Sequence, residues 1–462
     1  MDISELKKKN VLILGAGRTG IAGAQFLLDK VNKVLLSEKQ ELSHGIQEKI
    51  KDLINSGVEA EFKGNSEKFI ERADLVVTSP GISPRSEIVK KITSLKIPII
   101  SDIELAKSFT NKPIIGVTGT NGKTTTVSLI AHIINGSGRK AIACGNIGKP
   151  FIEAVNEDTN NIDYFVLEIS SFQIYYSPTL SCEIAICLNI TPDHLDWHGD
   201  FNHYIGAKKK LFLQQTTSSW AVLNYNDKLV KNFETKGNKF FFSSNLQDVN
   251  EIKLTSHIAY LENNGLKVKE KDKIDQIIYR KELNILGLHN IENALASIAT
   301  SRIININNND ISFGLKSFIG VEHRLEYIKN VNSKVFYNDS KATNPEATIK
   351  AIEALGQTKG KSITLILGGR DKQTSLNEMI NVIKNYVSEV ILLGEAKQRF
   401  KQELENNNFK GIKIVKNLNE AVTTSLQSKA EIVLFSPACS SFDMFKNYEE
   451  RGKTFKELVC KL

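Results

Sequence analysis

Short apolar runs recur along this chain at strand length, and most are followed by a turn rich in glycine, serine or proline. The first segment holds Val11-Leu-Ile-Leu14, Val34-Leu-Leu36 and Leu75-Val-Val77. The middle holds Ile114-Ile-Gly-Val-Thr118, Ala141-Ile-Ala-Cys144, Phe165-Val-Leu-Glu-Ile-Ser-Ser171 and Ala185-Ile-Cys-Leu-Asn-Ile190. The last segment holds Val335-Phe-Tyr337, Ile363-Thr-Leu-Ile-Leu367, Val390-Ile-Leu-Leu393 and Ile432-Val-Leu-Phe435. Between some of them, apolar positions at helical spacing predict helices over residues 21–28, 125–134 and 204–212. Continuous apolar runs suit strands buried on both faces, and strand–helix alternation predicts α/β layers with parallel sheets.

A chain of 462 residues is too long for one ordinary domain, and length alone suggests roughly three. Gly320-Val-Glu-His-Arg-Leu-Glu326 reads as a linker into the last one. The net charge of +8 comes from interspersed Lys and Glu, which argues against a nucleic-acid tail and suits a solvated basic surface or anionic small substrates. Five scattered cysteines without a C-x-x-C pair read as reduced thiols of a cytosolic enzyme. No apolar run reaches the roughly 18–20 residues of a membrane helix. Lys7-Lys-Lys9 before Val11-Leu-Ile-Leu14 mimics a signal peptide, but Gly15, Gly17 and Arg18 interrupt the apolar part too early.

The candidate chemistry sits at the ends of the apolar runs. Ile114-Ile-Gly-Val-Thr-Gly-Thr-Asn-Gly-Lys-Thr-Thr-Thr126 has the form strand, glycine loop, helix. Gly119 and Gly122 would let backbone N–H groups face an anion at a helix N-terminus, Lys123 would reach β/γ-phosphates, and the Thr124 hydroxyl would ligate Mg²⁺. Val117 stands where the long form of that motif has its first glycine, so the loop is a short variant, G-x-x-G-K-T-T. Gly15-Ala-Gly-Arg-Thr-Gly20, with Glu38 closing the next strand, matches a dinucleotide fingerprint in form. Its glycines would serve any diphosphate, so a nicotinamide dehydrogenase domain and a diphosphate-nucleotide anchor both stand. Glu168 is a carboxylate in apolar company. That is costly unless it is paired or near a metal, and it is a candidate for the Mg²⁺ carboxylate; an acid at a strand edge is the alternative. His194 and His198 have helical spacing, but His-Leu-Asp-Trp-His is not the zinc-protease pattern, and a second Mg²⁺ or a substrate contact fits better. Lys208, Lys209 and Lys210 taken alone read as a solvated helix face. Asn290 and Asn293 fall at i,i+3 on one helix, suited to an adenine edge or to capping. In the last segment Asn338-Asp-Ser-Lys-Ala-Thr343, Gly368-Gly-Arg-Asp-Lys372 and Ser436-Pro-Ala-Cys-Ser-Ser441 are polar loops at strand ends. Together they form a cleft fitted to a small dicarboxylate.

Taken together, Gly119-Thr-Asn-Gly-Lys-Thr-Thr125, Asn189-Ile-Thr-Pro-Asp-His-Leu-Asp196, Tyr204-x-x-Ala-Lys208, Gly287-x-His-Asn290 and His323-Arg-Leu-Glu326 resemble the Mur ligase superfamily. These are ATP-dependent amide-forming ligases of peptidoglycan synthesis, and the resemblance runs the whole length. Asn338-Asp-Ser-Lys-Ala-Thr-Asn344, Ser436-Pro-Ala-Cys-Ser-Ser-Phe-Asp443 and Phe445-Lys-Asn-Tyr-Glu-Glu-Arg-Gly452 resemble its branch that adds D-glutamate to UDP-N-acetylmuramoyl-L-alanine. The resemblance implies three domains: a Rossmann-like N-terminal domain for the UDP substrate (1–102), a central P-loop ATPase-type mononucleotide-binding domain (103–320), and a C-terminal Rossmann-like α/β domain for the amino acid (321–462). It also implies residue roles. Gly17, Arg18, Thr19, Glu38, Ser79, Asn146, Ser170 and Gln173 would face the UDP substrate. Gly119, Thr120, Asn121, Gly122, Lys123, Thr124, Thr125, Asn290, Asn293, Arg324 and Asp339 would face ATP. Thr343, Lys372, Ser441 and Tyr448 would face D-glutamate, with Tyr448 standing where the family often has Phe. Thr124 and Glu168 would hold one Mg²⁺ and His194 a second. Lys208 would carry a CO₂-derived carbamate, an anion that supports Mg²⁺. Lys123, His194, Lys208 and Glu168 form the catalytic set.

The resemblance further implies an acyl-phosphate intermediate, a cytoplasmic monomer without nucleic-acid partner or membrane span, and a hinge about residues 320–323 that closes on ATP and UDP substrate. Rival readings are another ligase of the superfamily (folylpolyglutamate synthetase or a diamino-acid-adding enzyme), a nicotinamide dehydrogenase, and a P-loop switch or motor.

Overall fold

The computed structural model describes residues 3–41, 44–157, 161–245, 255–285, 287–356, 361–371 and 373–462. The strands fall into three sheets, giving the expected three-domain α/β architecture. The chain divides into two compact units, Met1–Glu282 with Ile291–Leu315, and Leu283–Asn290 with Lys316–Leu462.

The first sheet is parallel: β1 (Asn10–Leu14), β2 (Lys33–Glu38), β3 (Glu59–Phe62), β4 (Leu75–Thr78) and β5 (Ile99–Ser101), in the order β3-β2-β1-β4-β5. Side chains alternate across it, as the two-residue period of a strand requires. Leu12, Leu14, Leu35 and Val76 pack on one face, Val11, Ile13, Leu36 and Val77 on the other. Both faces are covered, which is why these strands read as unbroken apolar runs. Helix Arg18–Leu27 leaves the first glycine loop so close to β1 that a Cβ on Gly20 would lie 1.9 Å from the Gly15 carbonyl oxygen.

The second sheet is built on β6 (Ile114–Thr118), β7 (Ala141–Gly145), β8 (Tyr164–Glu168), β9 (Ile184–Cys187), β10 (Trp220–Asn224) and β11 (Asn238–Ser243), ordered β7-β8-β6-β9-β10-β11 and all parallel. Two expected strands are shorter than their apolar runs. β8 stops at Glu168 because Ser170 caps the next helix, and β9 stops at Cys187. The strand–helix alternation expected of this segment also ends early. β12 (His257–Glu262) pairs parallel with β11, and β13 (Gly265–Glu270) and β14 (Lys273–Tyr279) then continue the sheet as an antiparallel meander. Its turns use Asn263, Asn264 and Lys271 at positive φ. Its apolar runs, Ile258-Ala-Tyr-Leu261 and Ile277-Ile-Tyr279, are not among those read as strands from the sequence.

The third sheet comprises β15 (Glu326–Val331), β16 (Lys334–Asn338), β17 (Ile363–Gly368), β18 (Val387–Leu393), β19 (Ile412–Ile414) and β20 (Ile432–Phe435), ordered β15-β16-β20-β17-β18-β19. Only β15 runs antiparallel. The expected linker at 320–326 therefore feeds directly into an edge strand. Among the described residues no helix is long and apolar enough to cross a membrane.

Candidate active site

The loop after β6 turns into helix Lys123–Gly136 through Gly119 at φ 145 and Gly122 at φ 87. A side chain at Gly122 is barred twice over, by its left-handed backbone and by Asn293 Oδ1, 2.5 Å from where a Cβ would stand. Asn293 Oδ1 also accepts the Thr126 hydroxyl at 3.1 Å, so helix Leu288–Ile303 braces the loop from one side. From the other, Asn189 Oδ1 accepts the Asn121 N–H at 2.8 Å and its amide donates to the Asn121 carbonyl at 3.2 Å. Thr120 is held by the Thr191 carbonyl at 3.1 Å and the Tyr204 hydroxyl at 3.0 Å. Asn189 and Tyr204 were part of the sequence motifs without an assigned role; the structure makes them braces of the glycine loop. Thr125 is buried in the first helical turn.

Three functional side chains converge on this loop. The Thr124 hydroxyl donates to Glu168 Oε2 at 2.7 Å, and the Asn146 amide donates to Glu168 Oε1 at 3.1 Å. Glu168, 4% exposed, is thus a paired carboxylate at the end of β8. Thr124 and Glu168 offer a hydroxyl and a carboxylate side by side, which is the oxygen chemistry that hard divalent cations take. Lys123 Nζ turns back on the loop, donating to the carbonyls of Gly119 and Thr120 at 2.9 and 2.8 Å. Lys208 Nζ donates to the same Gly119 carbonyl at 2.9 Å and to Thr118 Oγ1 at 3.2 Å. It stands 4.8 Å from the Tyr204 ring centre.

Lys208 is 1% exposed, whereas Lys209 and Lys210 face solvent. Burial, reinforced by the neighbouring Lys123 charge, pushes the Lys208 amine down to about 7. The solvated-face reading of this lysine is therefore overturned. Helix Phe201–Leu213 buries Tyr204, Ala207, Lys208, Leu211 and Phe212, and Lys208 occupies an apolar register position.

His194 stands outside the bonded cluster. It is the left-handed residue (φ 53) before the short helix Leu195–His198, lies 3.5 Å from Asp193, and sets its ring edge-on to Phe172 at 4.8 Å. His198, four residues on, is buried between Ser171 at 2.9 Å and His203 at 2.9 Å. Ser170 and Gln173 form a capping box at helix Ser171–Tyr175. Gln173 is 2% exposed, with its amide turned inward.

In the first domain the glycine loop, Glu38 and Ser79 meet at the carboxyl ends of β1, β2 and β4. Glu38 Oε2 accepts the Ala16 N–H at 2.8 Å and Oε1 accepts the Gln40 N–H at 2.9 Å. Ser79 N–H donates to the Leu14 carbonyl at 2.9 Å. Gly17 and Arg18 are exposed and Thr19 half-buried on the first helical turn.

In the second unit, Asn290 is buried and donates its N–H to the Gly287 carbonyl at 3.1 Å. Asp339 at the end of β16 accepts the Ser436 hydroxyl at 2.7 Å and the Leu325 N–H at 3.2 Å, next to Arg324. Burial pushes its carboxyl up to about 7, against the opposing pull of the Arg324 charge. The buried Arg451 guanidinium ties two of the strand-end loops, donating to the Ser340 carbonyl at 2.8 Å and the Cys439 carbonyl at 3.1 Å. Arg399 grips Asp371 with two bonds of 2.7 Å, anchoring a third. Thr343 and Tyr448 are half-buried and Ser441 is 2% exposed. Lys372 lies outside the described residues.

Known proteins resemble this chain along its whole length. Residues 9–101 match the Mur ligase MurD-like N-terminal domain, 117–301 the Mur ligase middle domain, and 323–439 the Mur ligase glutamate ligase domain. The chain is 37% identical over 462 residues to UDP-N-acetylmuramoylalanine--D-glutamate ligase of Thermoanaerobacter pseudethanolicus, covering 99% of both chains. It is likewise 37% identical to the protein of that name from Clostridioides difficile, covering 99% of this chain and 100% of the other. Among solved structures, UDP-N-acetylmuramate-alanine ligase from Thermotoga maritima shares the fold with a TM-score of 0.58 and 18% identity, covering 98% and 99% of the two chains. MurF from Acinetobacter baumannii does so with a TM-score of 0.60 and 14% identity, covering 98% and 93%. The MurD-like first domain leaves the nicotinamide reading of its glycine loop without support. With relatives this similar over its full length, the chain belongs to the Mur ligase family.

Proposed function

We propose that this protein is an ATP-dependent ligase that joins D-glutamate to UDP-N-acetylmuramoyl-L-alanine in cytoplasmic peptidoglycan precursor synthesis, working as a monomer. The observation that carries the reading is a buried amine beside a phosphate loop. Lys208 Nζ lies 2.9 Å from the Gly119 carbonyl, with the Thr124–Glu168 pair on the same loop. A P-loop switch or a dehydrogenase has no use for that amine. The Ser436-Pro-Ala-Cys stretch and the MurD-like first domain favour this ligase over others of the superfamily.

In this reading the first domain, 1–102, takes the UDP end of the substrate through Gly17, Arg18, Thr19, Glu38 and Ser79. Asn146, Ser170 and Gln173 would serve the same substrate. The central domain, 103–320, takes ATP on residues 119–125, with Asn290, Asn293, Arg324 and Asp339 about the nucleotide. The last domain, 321–462, takes D-glutamate on Thr343, Lys372, Ser441 and Tyr448. The substrate carboxylate attacks the γ-phosphorus, the bond to the β-phosphate oxygen breaks, and ADP leaves. The D-glutamate amine then attacks the acyl phosphate, and collapse of the tetrahedral intermediate releases phosphate and the amide. The protein's task is alignment and charge balance. Lys123 trades its loop carbonyls for the transferring phosphoryl group. Thr124, Glu168, His194 and a carbamylated Lys208 would hold two Mg²⁺ ions, which would supply neutralisation of the phosphate charge. The lowered Lys208 amine suits it as a CO₂ acceptor: the neutral Nζ forms the C–N bond and one proton leaves to solvent.

Phosphate release from ATP with UDP-N-acetylmuramoyl-L-alanine tests the proposal, comparing D-glutamate, L-glutamate and meso-diaminopimelate. Release with D-glutamate alone, and a product one glutamyl unit heavier, is expected. Release with another amino acid moves the specificity, and release with none removes the reading.

A further inference from the structure

Helix Asp102–Lys107 begins directly after β5, and its first residue carries an expensive group. Asp102 is 2% exposed, and among the described residues no Lys or Arg forms an ion pair with it. A buried carboxylate without a cation costs stability unless it is well bonded. Its side-chain partner is Gln173, whose Nε2 donates to Oδ1 at 3.1 Å and lies 3.3 Å from Oδ2.

That contact settles which way the Gln173 amide points. With Nε2 turned to Asp102, Oε1 accepts the Ser170 N–H at 3.2 Å and the Ser170 hydroxyl at 3.0 Å, while Ser170 Oγ accepts the Gln173 N–H at 3.3 Å. The result is the cap of helix Ser171–Tyr175, whose N-cap residue Ser170 lies two residues after Glu168. The two segments are locked in place independently. Ser101 N–H donates to the Tyr176 carbonyl at 2.8 Å, Ser101 Oγ meets Ser177 Oγ at 2.7 Å, and Ser177 Oγ donates to the Gln173 carbonyl at 2.7 Å. Asp102 therefore faces Gln173 across a fixed gap. A neutral amide at 102 could present either its oxygen or its NH₂ group to Gln173; a carboxylate presents only acceptors.

We propose that Asp102 is a positioning residue for the UDP substrate: its carboxylate orients the Gln173 amide and, through it, the Ser170 turn beside Glu168. The inference rests on the functional reading above. It differs from a general packing role in acting on one ligand through one side chain.

The test compares wild type, Asp102→Asn, Gln173→Ala and the double variant, using ATP, D-glutamate and UDP-N-acetylmuramoyl-L-alanine, with thermal melting to confirm folding. For Asp102→Asn, the KM for the UDP substrate is expected to rise about tenfold, the scale of one hydrogen bond to a charged group. The KM for ATP should stay unchanged and kcat within about threefold. The double variant should be no worse than Gln173→Ala alone, because the two residues form one path. Amide hydrogen exchange at residues 170–175 should speed up in Asp102→Asn. An unchanged KM for the UDP substrate in a folded Asp102→Asn, effects that add in full, or unchanged exchange would overturn the proposal. If wild type itself releases no phosphate with this substrate, the functional reading fails and the substrate role with it, and the exchange comparison still decides whether Asp102 orients the Ser170 turn.

Discussion

At the scale of single residues, Lys208 carries the most information. Its amine sits at about 7 because burial and the Lys123 charge disfavour the ammonium. In the unfolded chain it titrates near 10.4. Between those values the folded state binds fewer protons than the unfolded one, so stability from this group rises with pH from about 7 to 10 and is withheld below 7. A Lys208→Met variant keeps the shape and discards the buried charge. In CO₂-free buffer at pH 7 it is expected to melt later than wild type, with about 1–4 kcal/mol more stability. Its ligase activity should fall roughly 100-fold or more. Differential scanning calorimetry at pH 6, 7 and 9 checks the first part, and the difference should shrink as pH rises. In wild type, ¹³CO₂ should label Lys208 above pH 7 and progressively less below it, since only the neutral amine adds to CO₂. A labelling level flat from pH 6 to 8 would remove the carbamate from the mechanism.

At the scale of elements, the phosphate loop is a composite. Its turn depends on Gly122, yet helix Leu288–Ile303 and the loop after β9 hold it in place through Asn293, Asn189 and Thr191. Gly122→Ala must move either the Asn293 carboxamide or the loop, at a cost of about 1–3 kcal/mol. The expected readout is a rise of about tenfold in the KM for ATP, with the KM for the UDP substrate little altered. Equal rises in both would mean that the substitution disturbs the whole unit and not the cradle alone. The loop was legible in the sequence because strand, glycines, Lys, Thr and helix are contiguous. Its braces were not, because Asn189 and Asn293 are 104 residues apart in the chain and only the folded backbone brings both to one turn. Lys208 sits between these cases. The spacing of 204, 207, 208, 211 and 212 is the period of a buried helix stripe, but a lysine within it is taken for surface until the stripe is given priority over the residue type.

At the scale of the whole molecule, the reading assigns ATP contacts to both compact units and D-glutamate contacts to the second alone, so turnover is expected to need closure. The expected outcome is a smaller radius of gyration by small-angle scattering when the protein is saturated with a non-hydrolysable ATP analogue and UDP substrate. An unchanged radius would remove the hinge at residues 320–323.

The α/β class, the parallel runs, the phosphate loop and the family likeness were all written in the chain, because apolar period and contiguous motifs are local properties. The antiparallel meander β12–β14 escaped: β12 carries the short apolar run Ile258-Ala-Tyr-Leu261, but a run of that length does not tell strand from buried helix or set the direction of pairing. The bonding of Thr124, Asn146 and Glu168, the burial of Lys208, and the inward turn of Gln173 toward Asp102 belong to the tertiary structure. Each depends on which residues distant in sequence share one strand edge, and on how much water remains there. Both are set by packing, not by any window of the sequence.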